Sequence, residues 1–164
     1  RRGRVQMEAD PTSPDPRLAD YDQGQNAPET DALANLTMGA YFSGGRIWTL
    51  HSRFRHFDPE RRRAGLPEDV GALVEKLEAD AATLVLVNID PIQPRTVVVQ
   101  AGGYGEHRFD SVEIEGNVQP INGPLLNVRL EPGAGTRMRF KMAPYVNPPT
   151  LAQPWDRGWF GEAK

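Results

Sequence analysis

The sequence predicts a mainly β protein: an antiparallel β-sandwich with one docked helix and an extended arm at each end. Short runs of β-branched and aromatic residues recur along the chain, Gly- and Pro-rich turns separate them, and a single convincing stretch has helical periodicity. The 164 residues suffice for one well-buried domain and are too few for two comfortable ones. We therefore expect a sandwich over residues 35–143, with arms over 1–34 and 144–164.

The predicted domain begins with two β-favouring runs, at residues 36–42 and 46–54. The Ser-Gly-Gly sequence at 43–45 between them is a turn signal of the hairpin kind. Residues 55–65 are highly charged and lack alternation, so we expect an irregular exposed connection there.

The predicted helix lies near residues 68–78. Pro67 suits the first turn of a helix, and the carboxylates of Glu68 and Asp69 suit the positive end of the helix dipole. The apolar residues that follow are spaced at i, i+3, i+4 and i+7, as in one helical stripe: Val70, Leu73, Val74 and Leu77. This stripe is expected to dock the helix on the sheet or on a partner.

A central antiparallel hairpin is predicted over residues 83–101. The run at 84–89 is almost continuously apolar, which is typical of a strand covered on both faces. Pro91 and Pro94 interrupt it, because proline has no amide hydrogen for the ladder. Residues 95–100 then form the second strand of the pair.

Three further strands are predicted after a flexible glycine-rich turn at 102–105. Residues 107–116 form the first, and a loop over 119–124 leads to the most regular alternation in the chain, at 125–142. A Pro-Gly turn at 132–135 divides this last segment into two strands. Each strand is expected to have one face in the core and one face exposed to solvent.

The two arms differ in composition. Residues 1–34 combine prolines with polar side chains and bury little, so they cannot offset their own ordering entropy. The start, Arg1 onward without an initiator Met, is expected for a processed or truncated chain. The second arm carries spaced aromatic residues that suit docking in a groove of a larger partner: Tyr145, Trp155, Trp159 and Phe160. The alternative is that they pack on this chain's own sandwich, and stacking of the tryptophans on a sugar ring is a further possibility.

Charge and composition disfavour several classes of partner. A net charge of −3 argues against nucleic acid and anionic membrane as general partners. Cysteine is absent, so disulfides and thiolate chemistry are excluded, and cysteine usage does not indicate the cellular compartment of the protein. No apolar run is long enough for a transmembrane helix, and no cofactor is expected. The arginines between 46 and 63 lie near acidic residues, which predicts an ion-pair network.

Glu106 and His107 are the candidate acid/base pair, because they follow a glycine turn that permits close approach to a ligand. Neighbours on a strand point to opposite faces, so the alternative is a solvated pair in a hairpin turn. An enzyme hypothesis would bring His56 to this pair. No metal site is predicted, because the histidines are not spaced for convergence on one ion.

Three segments carry a resemblance to a known group of domains. The LVLVN strand at 84–88, the RTVVVQ strand at 95–100 and the LEPGAGTRMRF segment at 130–140 resemble the C-terminal β-sandwich domains of bacterial glycoside hydrolases and related carbohydrate-active enzymes. The resemblance covers roughly residues 82–142. Such domains brace a catalytic domain and carry no catalytic residues, so the resemblance assigns no site.

The functional hypothesis is therefore a non-catalytic module or small subunit that packs against and stabilises a larger, carbohydrate-active enzyme. Two alternatives stay open. One is a stand-alone carbohydrate-binding module, and the other is an enzyme that uses Glu106 and His107.

Overall fold

The chain divides into two compact units, Arg1–Leu33 and Ala34–Lys164. The computed structural model describes residues 31–40 and 52–157, together with Val5, Glu8, Ala9 and Pro11. The sandwich lies entirely in the second unit.

The described part contains one α-helix longer than a turn, nine strands and a short 3₁₀ helix. They are α1 Asp31–Met38, β1 Phe54–Asp58, β2 Arg63–Ala64, β3 Val70–Leu77, β4 Ala81–Asn88, β5 Arg95–Ala101, β6 Arg108–Ile114, β7 Asn117–Gly123, β8 Leu125–Leu130, β9 Gly135–Ala143 and the 3₁₀ helix Pro154–Arg157. No described helix has the length and apolar character needed to cross a membrane.

The strands form two antiparallel sheets, which confirms the predicted antiparallel β-sandwich. One sheet has the order β2-β1-β5-β8, and the other has the order β3-β4-β9-β6-β7. The core between them includes a cluster of three rings, in which Phe140 lies 5.3 Å from Phe54 and 4.6 Å from Phe109 between ring centroids. Aliphatic side chains from both sheets complete it: Leu84, Leu86, Val97, Val99, Val128 and Met138.

The helix predicted near 68–78 is wrong, because this segment is the edge strand β3. Residues 70–74 alternate with a period of two, since Val70 and Val74 pack against the core and Leu73 is 42% exposed. A bulge after Val74 then shifts the register, and Leu77 is 50% exposed near the end of the strand. Hydrogen bonding to β4 along the whole segment outweighs the local helical signals.

The predicted central hairpin is also wrong. Strands β4 and β5 lie in different sheets, because both edges of β4 are occupied by β3 and β9. The Pro-rich connection is therefore a crossing between the sheets, and so is the turn between β8 and β9. The buried side chain of Asn88 ties the two crossings together by donating to the carbonyls of Gln93 at 2.8 Å and Glu131 at 3.2 Å.

The second half of β4 is covered on one face, not on two as predicted, whereas Ala81 and Thr83 on the outer face of its first half are buried. Leu84 and Leu86 are fully buried, but Val87 is 38% exposed on the opposite face. The run at 84–89 is apolar on its outer face as well, which leaves part of that face available for contact.

Three smaller predictions also fail. Residues 36–38 belong to α1 rather than to a strand, and residues 41–51 lie outside the described residues. Helix α1 ends at Gly39, whose N–H donates to the Asn35 carbonyl at 3.1 Å and whose φ of 61° lies in the left-handed region favoured by glycine. The supposed connection at 55–65 contains β1 and β2, and the supposed loop at 119–124 is largely β7.

Candidate functional site

The loop between β5 and β6 crosses from one sheet to the other and holds the candidate acid/base pair. Gly102 and Gly105 have φ angles of 83° and 69°, which glycine adopts without strain. The buried carboxylate of Glu106 lies against Gly102, since a Cβ atom on Gly102 would be 2.5 Å from the carboxyl carbon. Oxygen Oε2 of Glu106 accepts a hydrogen bond from the N–H of Tyr104 at 2.7 Å. Glu106 therefore holds this loop closed.

The His107 ring is buried beside Glu106. Its Nδ1 accepts a hydrogen bond from the backbone N–H of Tyr145 at 3.1 Å, which in the neutral ring places the proton on Nε2. Nε2 lies 3.9 Å from Oε1 of Glu106, beyond hydrogen-bonding distance. The structure brings the predicted pair together, and each member has a backbone N–H bound to it. Both side chains thus have a structural role, and their acid/base role stays a prediction.

His56 lies on β1, and its ring is hydrogen-bonded to α1 rather than to the Glu106–His107 pair. Its buried ring is 2.7 Å from the Thr37 carbonyl through Nε2. Burial lowers the pKa of His56, because the charged form loses hydration, and the Thr37 carbonyl partly opposes this effect. Its Nδ1 has no hydrogen-bond partner within the described part of the chain. His56 is therefore a buried, neutral side chain that anchors the end of α1.

The first part of the C-terminal arm is bound to the same loop. The side-chain amide of Asn147 donates to the carbonyls of Gly105 at 3.1 Å and His107 at 2.8 Å. Its backbone N–H donates to the Glu106 carbonyl at 3.1 Å, and the N–H of Thr150 donates to the Tyr104 carbonyl at 3.0 Å. These contacts fix residues 147–150 on their own domain.

Trp155 also packs on its own domain. Its ring meets the Phe57 ring edge-on, with 6.0 Å between centroids, on the outer face of the four-stranded sheet. Val98 and Leu125 complete this small cluster and are 0% and 8% exposed. Of the two alternatives for the arm, the contacts of Trp155 favour packing on the sandwich. Trp159 and Phe160 lie outside the described residues.

No match emerges when the chain is compared with protein-family models, curated proteins or solved structures. Nothing is therefore transferred to this chain from a relative. Its function has to be inferred from its own surfaces, of which two are distinctive.

The first surface is a cleft of about 380 Å³ at one end of the sandwich. Its lining includes Arg53, Leu77, Ala79, His107, Pro144 and Tyr145. Tyr145 is 62% exposed and has a φ of 54°, unusual for a residue with a side chain. The sequence predicts Arg53 as part of the basic cluster, and no local pattern indicates that it lines a cleft together with Tyr145.

The predicted ion-pair network is found for two arginines of the basic cluster, whereas Arg55 donates to the Gly103 carbonyl at 3.1 Å and lies over the Phe57 ring. Arg61 pairs with Glu68, and Arg63 pairs with the buried Asp58 at 3.3 Å. Within the described ranges, no group of three or more His, Cys, Asp or Glu side chains is placed to hold a metal ion.

The second surface is an exposed apolar strip on the outer face of the five-stranded sheet. Leu73 on β3 lies opposite the half-buried Val85 on β4, and Val87 lies two residues further along the same face. The strip continues to Ile89 and Ile92, which are 69% and 74% exposed. We call Leu73, Val85, Val87, Ile89 and Ile92 the apolar strip.

A notch interrupts this strip. Gly71 lies opposite Val87 and has no side chain, and a Cβ atom on Gly71 would meet nothing within 4 Å. The surface is therefore apolar and indented, whereas Arg137 beside it pairs with Glu75 at 2.6 Å and forms a polar border. Apolar centres with polar rims are typical of protein interfaces.

Proposed function

We propose that this chain is a non-catalytic β-sandwich module that packs through the apolar strip against a larger, carbohydrate-active enzyme and stabilises it. The observation that carries the proposal is the strip itself. Its side chains occupy neighbouring positions on two paired strands and continue into the connection after β4. Contiguous exposed apolar side chains rimmed by charge mark docking sites more often than scattered ones do.

The non-catalytic character is supported by the contacts of the candidate acid/base residues. Glu106 Oε2 holds the Tyr104 N–H, and His107 Nδ1 holds the Tyr145 N–H. A general acid or base needs its reactive atom within reach of a substrate proton, and Glu106 and His107 are 6% and 1% exposed.

The carbohydrate connection is supported by the resemblance of the strand sequences to glycoside hydrolase accessory domains. The three segments that carry it overlap the strands β4, β5 and β9 of an antiparallel sandwich. Domains of this architecture suit a bracing role, because a rigid sheet face presents a preformed surface and loses little conformational entropy on docking.

The test uses substitutions that alter the strip without disturbing the core. Gly71→Arg fills the notch with a charged side chain, at a position that has open space and no left-handed φ. Val87→Asp places a carboxylate on the same exposed face. Val118→Asp is the matched control, because Val118 is 65% exposed and lies on β7 at the opposite edge of the sheet.

The tagged protein and its variants are isolated from the cells that make the protein, and the co-purified material is assayed for activity on polysaccharides. We expect wild type and Val118→Asp to recover the enzyme equally. Gly71→Arg and Val87→Asp should reduce recovery by roughly tenfold or more, as for loss of a central interface contact. Equal recovery by all four proteins would exclude the strip, and recovery of a partner without carbohydrate activity would exclude the proposed class of enzyme.

A further inference from the structure

Of the ten arginine side chains that the structure describes, seven pair with a carboxylate: Arg61, Arg63, Arg95, Arg108, Arg129, Arg137 and Arg139. Of the other three, Arg55 lies over the Phe57 ring and Arg62 is exposed, whereas Arg53 lines the cleft. Arg53 has no carboxylate oxygen within 4.0 Å among the described residues, although it is half-buried in the wall of the cleft. A partly desolvated guanidinium without an anionic partner indicates a site for an anion.

The position of this charge is fixed by the turn between β3 and β4. Nη2 of Arg53 donates to the carbonyls of Glu78 at 3.3 Å and Ala79 at 3.4 Å. Within the described ranges, no other acceptor is bound to the guanidinium, and the planar fork of its remaining N–H groups matches a carboxylate.

The cleft suits a single negative charge better than two. Helix α1 presents its C-terminal end here, since Gly39 lines the cleft, and that end of a helix carries partial negative charge. The carbonyls of Glu78 and Ala79 add to the negative potential. A phosphate dianion would need more donors than this environment provides, whereas a carboxylate needs one guanidinium.

The cleft lining also includes an aromatic ring, that of Tyr145. The Tyr145 ring meets the His107 ring edge-on at 4.6 Å between centroids, and the Tyr145 N–H is bound to His107 Nδ1. The ring is thereby oriented while its surface stays largely exposed. Leu77, which is 50% exposed, adds a second apolar contact on the side of Arg53.

We propose that the cleft binds a uronate, a sugar ring whose carboxylate pairs with Arg53 and whose apolar face rests on Tyr145. The cleft volume of about 380 Å³ lies in the usual range for small-ligand sites. The choice of a sugar rests on the proposed function, whereas the requirement for a carboxylate rests on the cleft. The apolar strip is a separate surface, so a failure of uronate binding leaves the docking proposal intact.

The test is a titration of the whole chain by isothermal calorimetry and by NMR chemical-shift perturbation. The probes are digalacturonate, the neutral disaccharide of galactose with the same linkage, galactose 6-phosphate and benzoate. The variants are Arg53→Gln, Tyr145→Ala and Ala79→Glu, the last of which adds a repelling carboxylate at an exposed position in the wall. Arg62→Gln is the matched control, because Arg62 is exposed and lies outside the cleft.

We expect digalacturonate to bind with a millimolar or tighter Kd and to bind at least tenfold more tightly than each other probe. Arg53→Gln and Ala79→Glu should each weaken digalacturonate by roughly 10- to 100-fold, as for loss of a charge-assisted hydrogen bond. Arg62→Gln should leave the Kd unchanged. If Arg53→Gln fails to fold, Ala79→Glu carries the test by itself.

Three results would overturn the proposal. The first is equal binding of the neutral disaccharide, which would show that Arg53 does not recognise a carboxylate. The second is equal binding of galactose 6-phosphate or benzoate, which would show that the cleft does not select a uronate over other anions. The third is the absence of saturable binding, or binding that Ala79→Glu leaves unchanged.

Discussion

Replacement of Trp155 by alanine tests whether the C-terminal arm belongs to the sandwich or to an interface. The Trp155 ring contacts Phe57 edge-on at 6.0 Å and covers Val98, which is fully buried although it lies on the outer face of its sheet. Truncation of a fully buried Phe or Trp costs about 3–5 kcal/mol, and Trp155 is half-buried. We therefore expect a loss of about 2–3 kcal/mol in the free energy of unfolding, including the aromatic contact.

The assay is urea denaturation together with a thermal melt of the isolated chain. A loss of this size corresponds to a fall in Tm of roughly 5–10 °C for a domain of this length. Leu151→Ala is the control in the same arm, because Leu151 is 76% exposed and its truncation should stay within about 0.5 kcal/mol of wild type. An unchanged Tm for Trp155→Ala would refute the packing of the arm on the sandwich and would restore the docking-arm hypothesis.

Three other predictions have definite expected results. Gly102→Ala and Gly116→Ala each place an alanine at a left-handed φ, but only Gly102 lies against the Glu106 carboxylate. Calorimetry should therefore show a larger fall in Tm for Gly102→Ala. Equal falls would contradict the close packing of Glu106 on Gly102. Because the pKa of His56 is lowered in the folded state, the unfolded chain takes up a proton first as pH falls below about 6.5. The free energy of unfolding should then fall by up to about 1.4 kcal/mol per pH unit, and His56→Gln should lack this part of the pH dependence in urea titrations. Identical pH profiles for wild type and His56→Gln would contradict the lowered pKa. Val87→Asp should remain folded by circular dichroism at a cost of about 1 kcal/mol, because its side chain faces outward, and an unfolded variant would contradict that orientation.

Alternation along the last two strands was predictable from the sequence because it depends on the local pattern alone. Met138, Phe140 and Met142 are buried between exposed basic residues, as expected. The assignment of strands to sheets was not predictable in this way. A Pro-bracketed turn fits both a hairpin and a crossing between sheets, and the choice depends on which distant strands pair with β4.

The segment at 68–78 shows the limit of periodicity most clearly. Val70 and Val74 fit a helical stripe and also fit one face of a strand. Exposure of Leu73 and Leu77 is what distinguishes the two, and exposure is set by the tertiary structure. The apolar residues of an exposed edge strand therefore mimic a buried helical stripe.

The candidate site was predictable in part. The glycines that precede Glu106 and His107 predict a candidate site at this loop, and both side chains are buried in it. Their partners could not be read from the sequence, since Tyr145 and Asn147 lie some forty residues further along the chain. Arg53 and Tyr145 line one cleft because residues of α1, the β3–β4 turn and the arm come together there.

Site-specific photo-cross-linking tests the proposed docking function most directly. A benzophenone side chain is placed at Ile89, in the apolar strip, or at Val118, at the opposite edge of the same sheet, and the protein is irradiated in the cells that make it. Mass spectrometry of the products should find an enzyme active on carbohydrates cross-linked at position 89, and none at position 118. Equal cross-linking from both positions, or none from position 89, would contradict the proposal that this face docks the module.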